Sequence, residues 1–319
     1  AYTVPTYLGR RFESRLLRLL AAVFLAVPML LLVAAELRIA SVVGGWLSGM
    51  SAGMLLPSFA LFVLASLVLG GMRSLSWSNA AQAITVLLAF LVPVALVAVL
   101  VTKLPIPQLS YGPIVRGLIR HEAALSLPDL AAAPFSLDLP GEGFATIAKR
   151  FATPFGAIGP VAFVITMLTV MAGLASAPWL LPRVSTTPGV HEARKSLAWA
   201  TVFFGVLVLT MTSVAAFMRA PLMDLALTAE PGQIPDWLKS LSAAGLVELT
   251  SASTRVAIGS VAFWRDGVFL ALPIATGLPA AFVYLAAASA IAAALAGAGG
   301  AAMALGNLLA EDILNGLSW

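Results

Sequence analysis

Glu36 and Arg38 are the residues of this 319-residue chain whose type and setting point most directly to chemistry. They are charges embedded in an otherwise apolar run, and an ionisable group surrounded by hydrocarbon is a functional hypothesis by default. Such a group can carry a proton or hold a polar solute. A plainer reading stands beside it. Twenty residues separate Arg18 from Arg38, about 30 Å of helix, so both charges could simply reach the far interface. Residues two apart do not face each other on a helix, so the two are not a ready-made ion pair. A second group of candidates lies between Met171 and Trp179, where Gly173 and Pro178 interrupt an apolar segment that carries Thr166, Thr169 and Ser176. Glycine and proline at membrane depth mark a place where a helix can unwind and offer backbone groups to a ligand. The competing reading is an ordinary proline kink. A third feature is the alanine- and glycine-rich stretch Ala286–Ala302. Small residues let helix backbones approach closely, which makes a packing face the better reading. A phosphate loop is a poor one, because no lysine follows and no strand precedes.

The remaining chemistry is sparse. There is no cysteine, so no disulfide framework or thiolate metal site is available. The histidines, His121 and His191, are far apart and each stands beside charged residues, a pattern of solvated rather than catalytic groups. No nucleophile elbow, zincin motif or carboxylate pair in a polar context is present, so the chain does not read as an enzyme, and no cofactor is expected.

The elements that must position these residues are membrane helices. The chain is 61% hydrophobic and 10% charged, with a mean hydropathy of +1.00, whereas soluble domains are roughly 25% charged. Lipid has to be part of its solvent. Spans of about 20 apolar residues are expected at about 19–46, 54–72, 80–101, 155–181, 197–218 and 280–310, with outer loops at 102–154 and 219–279. The last apolar block begins near Val268, and Pro273, Gly277 and Pro279 divide it into a short interfacial helix and the sixth span. The expectation is therefore an all-α, polytopic membrane protein with about six transmembrane helices in a single domain, 1–319.

Lysine and arginine in the short loops set the orientation. The N-terminus, Arg73, the Arg183–Lys195 loop and the C-terminus together hold eight basic and four acidic residues, and the two long loops hold nine of each. The basic excess puts both ends of the segment in the cytoplasm, in a bacterial-type inner membrane. The net charge of +4 is thus a topology signal and does not point to nucleic acid. The start at Ala1, without a methionine or a basic leader, raises the expectation that the sequence is a piece of a longer protein.

Several stretches, in order, carry a family resemblance. They are Tyr2–Phe12, the Gly70–Gln82 stretch with Trp77 and Gln82, Pro105–Gly112, Thr186–Ser196, Arg265–Pro273 and Ala310–Ile313. Together they resemble the sodium:solute symporter family, nearest its acetate and monocarboxylate permease branch, over the family's helices four to nine. The resemblance implies part of a LeuT-like inverted-repeat core that works by alternating access, with the substrate near the midplane and a cation as coupling ion. It also implies departures. The family's sodium ligands fall on Ala293, Ala296 and Gly297, and the last two have no side-chain oxygen for a hard cation. The aspartate after the loop tryptophan is Asn79, the glutamine of the fourth helix is Glu36, and the histidine after the broken-helix proline is Trp179.

Two functions follow as expectations. One is secondary transport of a small organic anion such as a monocarboxylate. Its contacts would be Glu36, Gln82, Thr169, Gly173, Ser176 and Pro178, and Glu36 would couple transport to protons in place of sodium. The other is a non-transporting relative that serves as a sensor domain or a structural subunit alongside other membrane proteins.

Overall fold

The computed structural model describes residues 3–126, 144–146, 159–180, 187–228, 234–249, 261–264 and 267–315. In chain order these form α1 (Val4–Arg11), α2 (Arg15–Ser48), α3 (Ala52–Thr102), α4 (Pro107–Ala124), β1 (Phe144–Thr146) and α5 (Pro160–Ala175). There follow α6 (Val190–Thr228), α7 (Asp236–Ala243), β2 (Val247–Leu249), β3 (Val261–Trp264), α8 (Val268–Ala275) and α9 (Ala280–Leu308), which ends in a π-helical turn, Leu309–Leu314.

Four helices among the described residues, α2, α3, α6 and α9, are long and apolar enough to cross a membrane. The 34 residues of α2 extend about 51 Å, well beyond a hydrocarbon core of about 30 Å. Ser14 caps its start by accepting from the Leu17 N–H at 3.2 Å, and Gly49, at φ 73°, ends it in the left-handed conformation. Helix α3 is 51 residues long but is kinked at Gly71, where φ is 53° and ψ −145°. Only glycine holds that backbone without strain, so the kink divides the apolar run Ala52–Gly70 from Met72–Thr102. The polar residues from Arg73 to Asn79 lie inside the second helical stretch, not in a loop. Helix α5 has 16 residues and is a shorter apolar helix; the expected start of that span, 155–158, lies outside the described residues.

The chain divides into two compact units. The first comprises Ala1–Leu88, Ala172–Val202 and Ala287–Trp319; the second comprises Ala89–Met171 and Phe203–Ala286. In the first unit, α2, the front of α3 and the back of α9 pack through Leu37, Val63 and Ala298, with Val33, Phe59 and Leu67 around them. A neighbouring cluster joins Ala22 and Met29 of α2 to Ala304 and Leu308 of α9, and Trp179 leans on it. The alanine-rich face of α9 thus serves as the close-packing surface its small residues favour.

The second unit contains structure that hydropathy alone does not reveal. A small antiparallel sheet has the order β1-β3-β2, with Phe144 opposite Trp264 and Val247 opposite Phe263. Leu238 and Leu241 of α7, Leu270 of α8 and Leu246, just before β2, are all almost fully buried. Within this unit, α4 is fastened along α6 by polar contacts. Gln108 donates to the Thr210 hydroxyl at 2.6 Å, and Ser213 donates to the Pro107 carbonyl at 3.1 Å.

Candidate functional site

The site is built around Glu36. Helix α2 turns about 100° per residue, so Glu36 and Arg38 emerge on different sides. Arg38 is exposed, while Glu36 is half-buried and turned inward. Its carboxyl lies against α9 at Gly297: a Cβ placed on that glycine would stand 2.6 Å from Glu36 Oε1 and 2.8 Å from its Cδ. The carboxylate therefore fills the notch left by the missing side chain. Among the described residues it has neither a hydrogen-bond nor an ion-pair partner. The residues that flank Gly297 along α9 include Ala293, Ala294, Ala296 and Ala298, none of which can donate through a side chain. An ionisable group without a donor in such surroundings is a candidate functional group.

The same notch bears on the cation. Ala293, Ala296 and Gly297 contribute no side-chain oxygen, and no group of three or more acidic, histidine or cysteine residues able to hold a metal ion occurs among the described residues. Among the described residues, one carboxylate against a wall of alanine and glycine offers few of the side-chain oxygens that a hard cation favours. It can take up a proton.

A second polar feature lies on the second stretch of α3. The side-chain oxygens of Asn79 and Gln82 are buried with no hydrogen-bond partner among the described residues. Three residues apart, they share one helix face. That face continues to Leu75, whose Cδ1 lies 3.0 Å from where a Cβ of Gly299 would stand. Buried polar groups without partners are rare in proteins and call for an explanation; a bound polar solute would supply one.

The other residues singled out in the sequence are placed differently. Helix α5 runs through Gly173 without a break and ends at Ala175, and Pro178 stands in the turn that follows. Thr169 Oγ1 donates to the Ile165 carbonyl at 2.8 Å, and Ser176 Oγ donates to the Ala172 carbonyl at 2.9 Å. Both hydroxyl protons are thus committed to their own helix. The terminus exposed here is the carboxyl end of α5, which carries the negative pole of the helix dipole. It suits a donor or a positive group better than a carboxylate. Because α5 has no buried residue, Thr169 and Gly173 do not line an enclosed pocket.

Two clusters escaped the sequence reading. In the first unit, Asp312 is fully buried and accepts from Thr3 Oγ1 at 2.5 Å, Thr6 Oγ1 at 2.6 Å and Arg18 Nε at 2.8 Å. A terminal nitrogen of Arg18 also donates to the Glu311 carbonyl at 2.5 Å. In the second unit, Arg219 of α6 meets Glu122 of α4 at 2.6 Å, both nearly buried, and His121 meets Asp224 at 2.9 Å in a more exposed pair. The available signal was charge placement: Arg18 and Asp312 bracket the first and last apolar runs, but nothing in the sequence says that they meet.

With this geometry in place, comparison with known proteins adds one relative. The chain is similar to a symporter. An uncharacterized symporter of Cupriavidus necator is 25% identical over 349 aligned positions, covering 82% of this chain and 48% of the relative. The chain thus spans about half the length of the curated relative it matches. No family profile matches it, and no solved structure does. Together with four apolar helices of spanning length, the relative supports a multi-pass membrane protein in contact with the lipid bilayer.

Proposed function

We propose that this chain is the middle section of a secondary transporter that moves a small organic anion across the cytoplasmic membrane by alternating access, coupled to protons through Glu36. The observation that carries this reading is the Glu36 carboxyl seated against Gly297 with no partner among the described residues. The similarity to a symporter supplies the class of activity. The resemblance to the sodium:solute symporters supplies the LeuT-like scaffold and the monocarboxylate as solute. In this reading the amides of Gln82 and Asn79 bind the solute on the inner face of α3, because an amide can both donate to a carboxylate and accept from a hydroxyl. The Gly173–Pro178 region, with Thr169 and Ser176, contributes the carbonyl end of α5 to a hydroxyl or other donor on the solute. Sodium gives way to the proton because Ala296 and Gly297 stand where oxygen ligands would be needed.

A second reading has its own support. The absence of side-chain oxygens at Ala293, Ala296 and Gly297, together with Asn79 in place of an acid, fits a relative that has lost transport and serves as a sensor domain or a structural subunit. One experiment decides between them. Full-length protein in proteoliposomes is tested for saturable acetate and lactate uptake under an inward proton gradient, an inward sodium gradient and neither. Proton-driven uptake that Glu36→Gln abolishes supports the transporter reading. No saturable uptake under either gradient, combined with a stoichiometric copurifying subunit, supports the second.

A further inference from the structure

Helix α1 is held in place more firmly than eight residues would ordinarily warrant. Thr3 caps it, and Thr3 and Thr6 both donate to the buried Asp312 at the end of α9. Its Gly9 rides directly over Arg18: a Cβ on Gly9 would stand 2.8 Å from Arg18 Cβ, a separation real Cβ atoms do not reach. The crossing of α1 over the start of α2 therefore requires glycine. The inner face of α1, Pro5 and Thr6, is buried by this docking.

The opposite face is displayed. Arg10, Arg11 and, just beyond the turn, Arg15 are exposed, and among the described residues none of the three has an ion-pair or hydrogen-bond partner. Arg18, in contrast, is consumed by Asp312. Glu13, in the turn at φ 49°, is the acid among them and leaves a surplus of two positive charges. Tyr7 and Phe12 beside them are 58% and 64% exposed, and Leu16, at 68%, opens the apolar outer wall of α2. Basic residues above, aromatic residues at the border and an aliphatic wall below form the layering of a membrane interface.

We infer that this face of α1 and the start of α2 is a binding surface for anionic phospholipid, with Arg10, Arg11 and Arg15 on the headgroup phosphate and the Leu16 wall along the acyl chain. The charge favours an anionic lipid over a zwitterionic one, and the adjacent apolar wall favours a lipid over a free anion. The Asp312 clasp gives the arginines their fixed position, so ordering them on binding costs little. The inference stands independently of whether the protein transports.

The test uses full-length protein in nanodiscs of mixed phosphatidylglycerol and phosphatidylcholine, with retained lipid counted by native mass spectrometry. A basic residue near an anionic surface contributes roughly fivefold in occupancy, so wild type retains phosphatidylglycerol at least about tenfold over phosphatidylcholine. Arg10→Gln/Arg11→Gln/Arg15→Gln lowers that ratio toward one while leaving thermal stability in pure phosphatidylcholine unchanged. If the triple variant does not fold, wild type is compared at low and high salt, since exposed charge contacts are screened. A ratio that survives the triple substitution, or one indifferent to salt, overturns the inference. Equal competition by free glycerophosphate also overturns it, because the site would then recognise an anion and not a lipid.

Discussion

Two carboxylates in the same unit, Asp312 and Glu36, have opposite fates. Asp312 is buried and accepts from Thr3, Thr6 and Arg18, so its charge is met by three donors. Glu36 is half-buried against Gly297 and has no such partner among the described residues. The difference separates architecture from chemistry. A buried charge held by several donors at once fixes the helices that supply them in register. A carboxyl left without donors beside hydrocarbon is costly to keep, which makes it a candidate for function and not for architecture.

The largest expected effect is on the satisfied member. Asp312→Ala leaves Arg18 and two hydroxyls without their acceptor, and breaking a buried pair from one side costs about 3 kcal/mol or more. Thermal unfolding of the full-length protein should show the loss, together with early proteolysis within α1. If Asp312→Ala unfolds like wild type, the clasp is not structural and the contrast fails.

Glu36→Gln should behave in the reverse manner. It keeps the shape and removes the proton site, so thermal stability stays within about 1 kcal/mol of wild type, the range of a substitution that leaves packing intact. Proton-driven uptake should be lost, while exchange of labelled for unlabelled solute continues. A variant that still accumulates solute under a proton gradient would remove Glu36 from coupling.

Gly297→Ala sharpens the same point with a smaller effect. The added methyl meets the flexible end of Glu36, which can swing aside, so the fold tolerates it. The carboxyl is displaced from α9, and the pH dependence of uptake should move while solute affinity changes little. A pH profile superimposable on wild type would show that the notch does not set the environment of Glu36. The smallest effect belongs to the exposed pair in the second unit. His121→Gln removes a contact to Asp224 that solvent largely screens, and stability should change by less than about 1 kcal/mol.

Much of the architecture was legible because hydrocarbon imposes a simple rule on sequence. Apolar runs of 20 or more residues must be helical in lipid, and α2, α3, α6 and α9 are the four helices of that length among the described residues. Glu36 stood out for the same reason, as a charge within such a run. The polar stretches were not legible. Apart from the short helix expected from Val268, residues 102–154 and 219–279 read as loops by composition, yet they contain α4, α7 and the small sheet, whose short elements depend on mutual packing more than on their own periodicity. The Gly173–Pro178 region illustrates a different limit. The residue types announce an interruption, but they do not say that α5 presents its carboxyl end there, nor that the Thr169 and Ser176 hydroxyls are already bonded to their own helix.

The sequence by itself determined that this is a chain for the bilayer, that long apolar runs build it, and that a glutamate lies inside one of them. These depend on composition and on separation along the chain, which a one-dimensional pattern records. The tertiary structure alone decided which glycine receives that glutamate and which aspartate is satisfied. Glu36 and Gly297, like Arg18 and Asp312, lie more than 250 positions apart in the chain. Their meeting depends on how α2 and α9 are rotated about their axes as they pack, and hydropathy carries no record of that rotation.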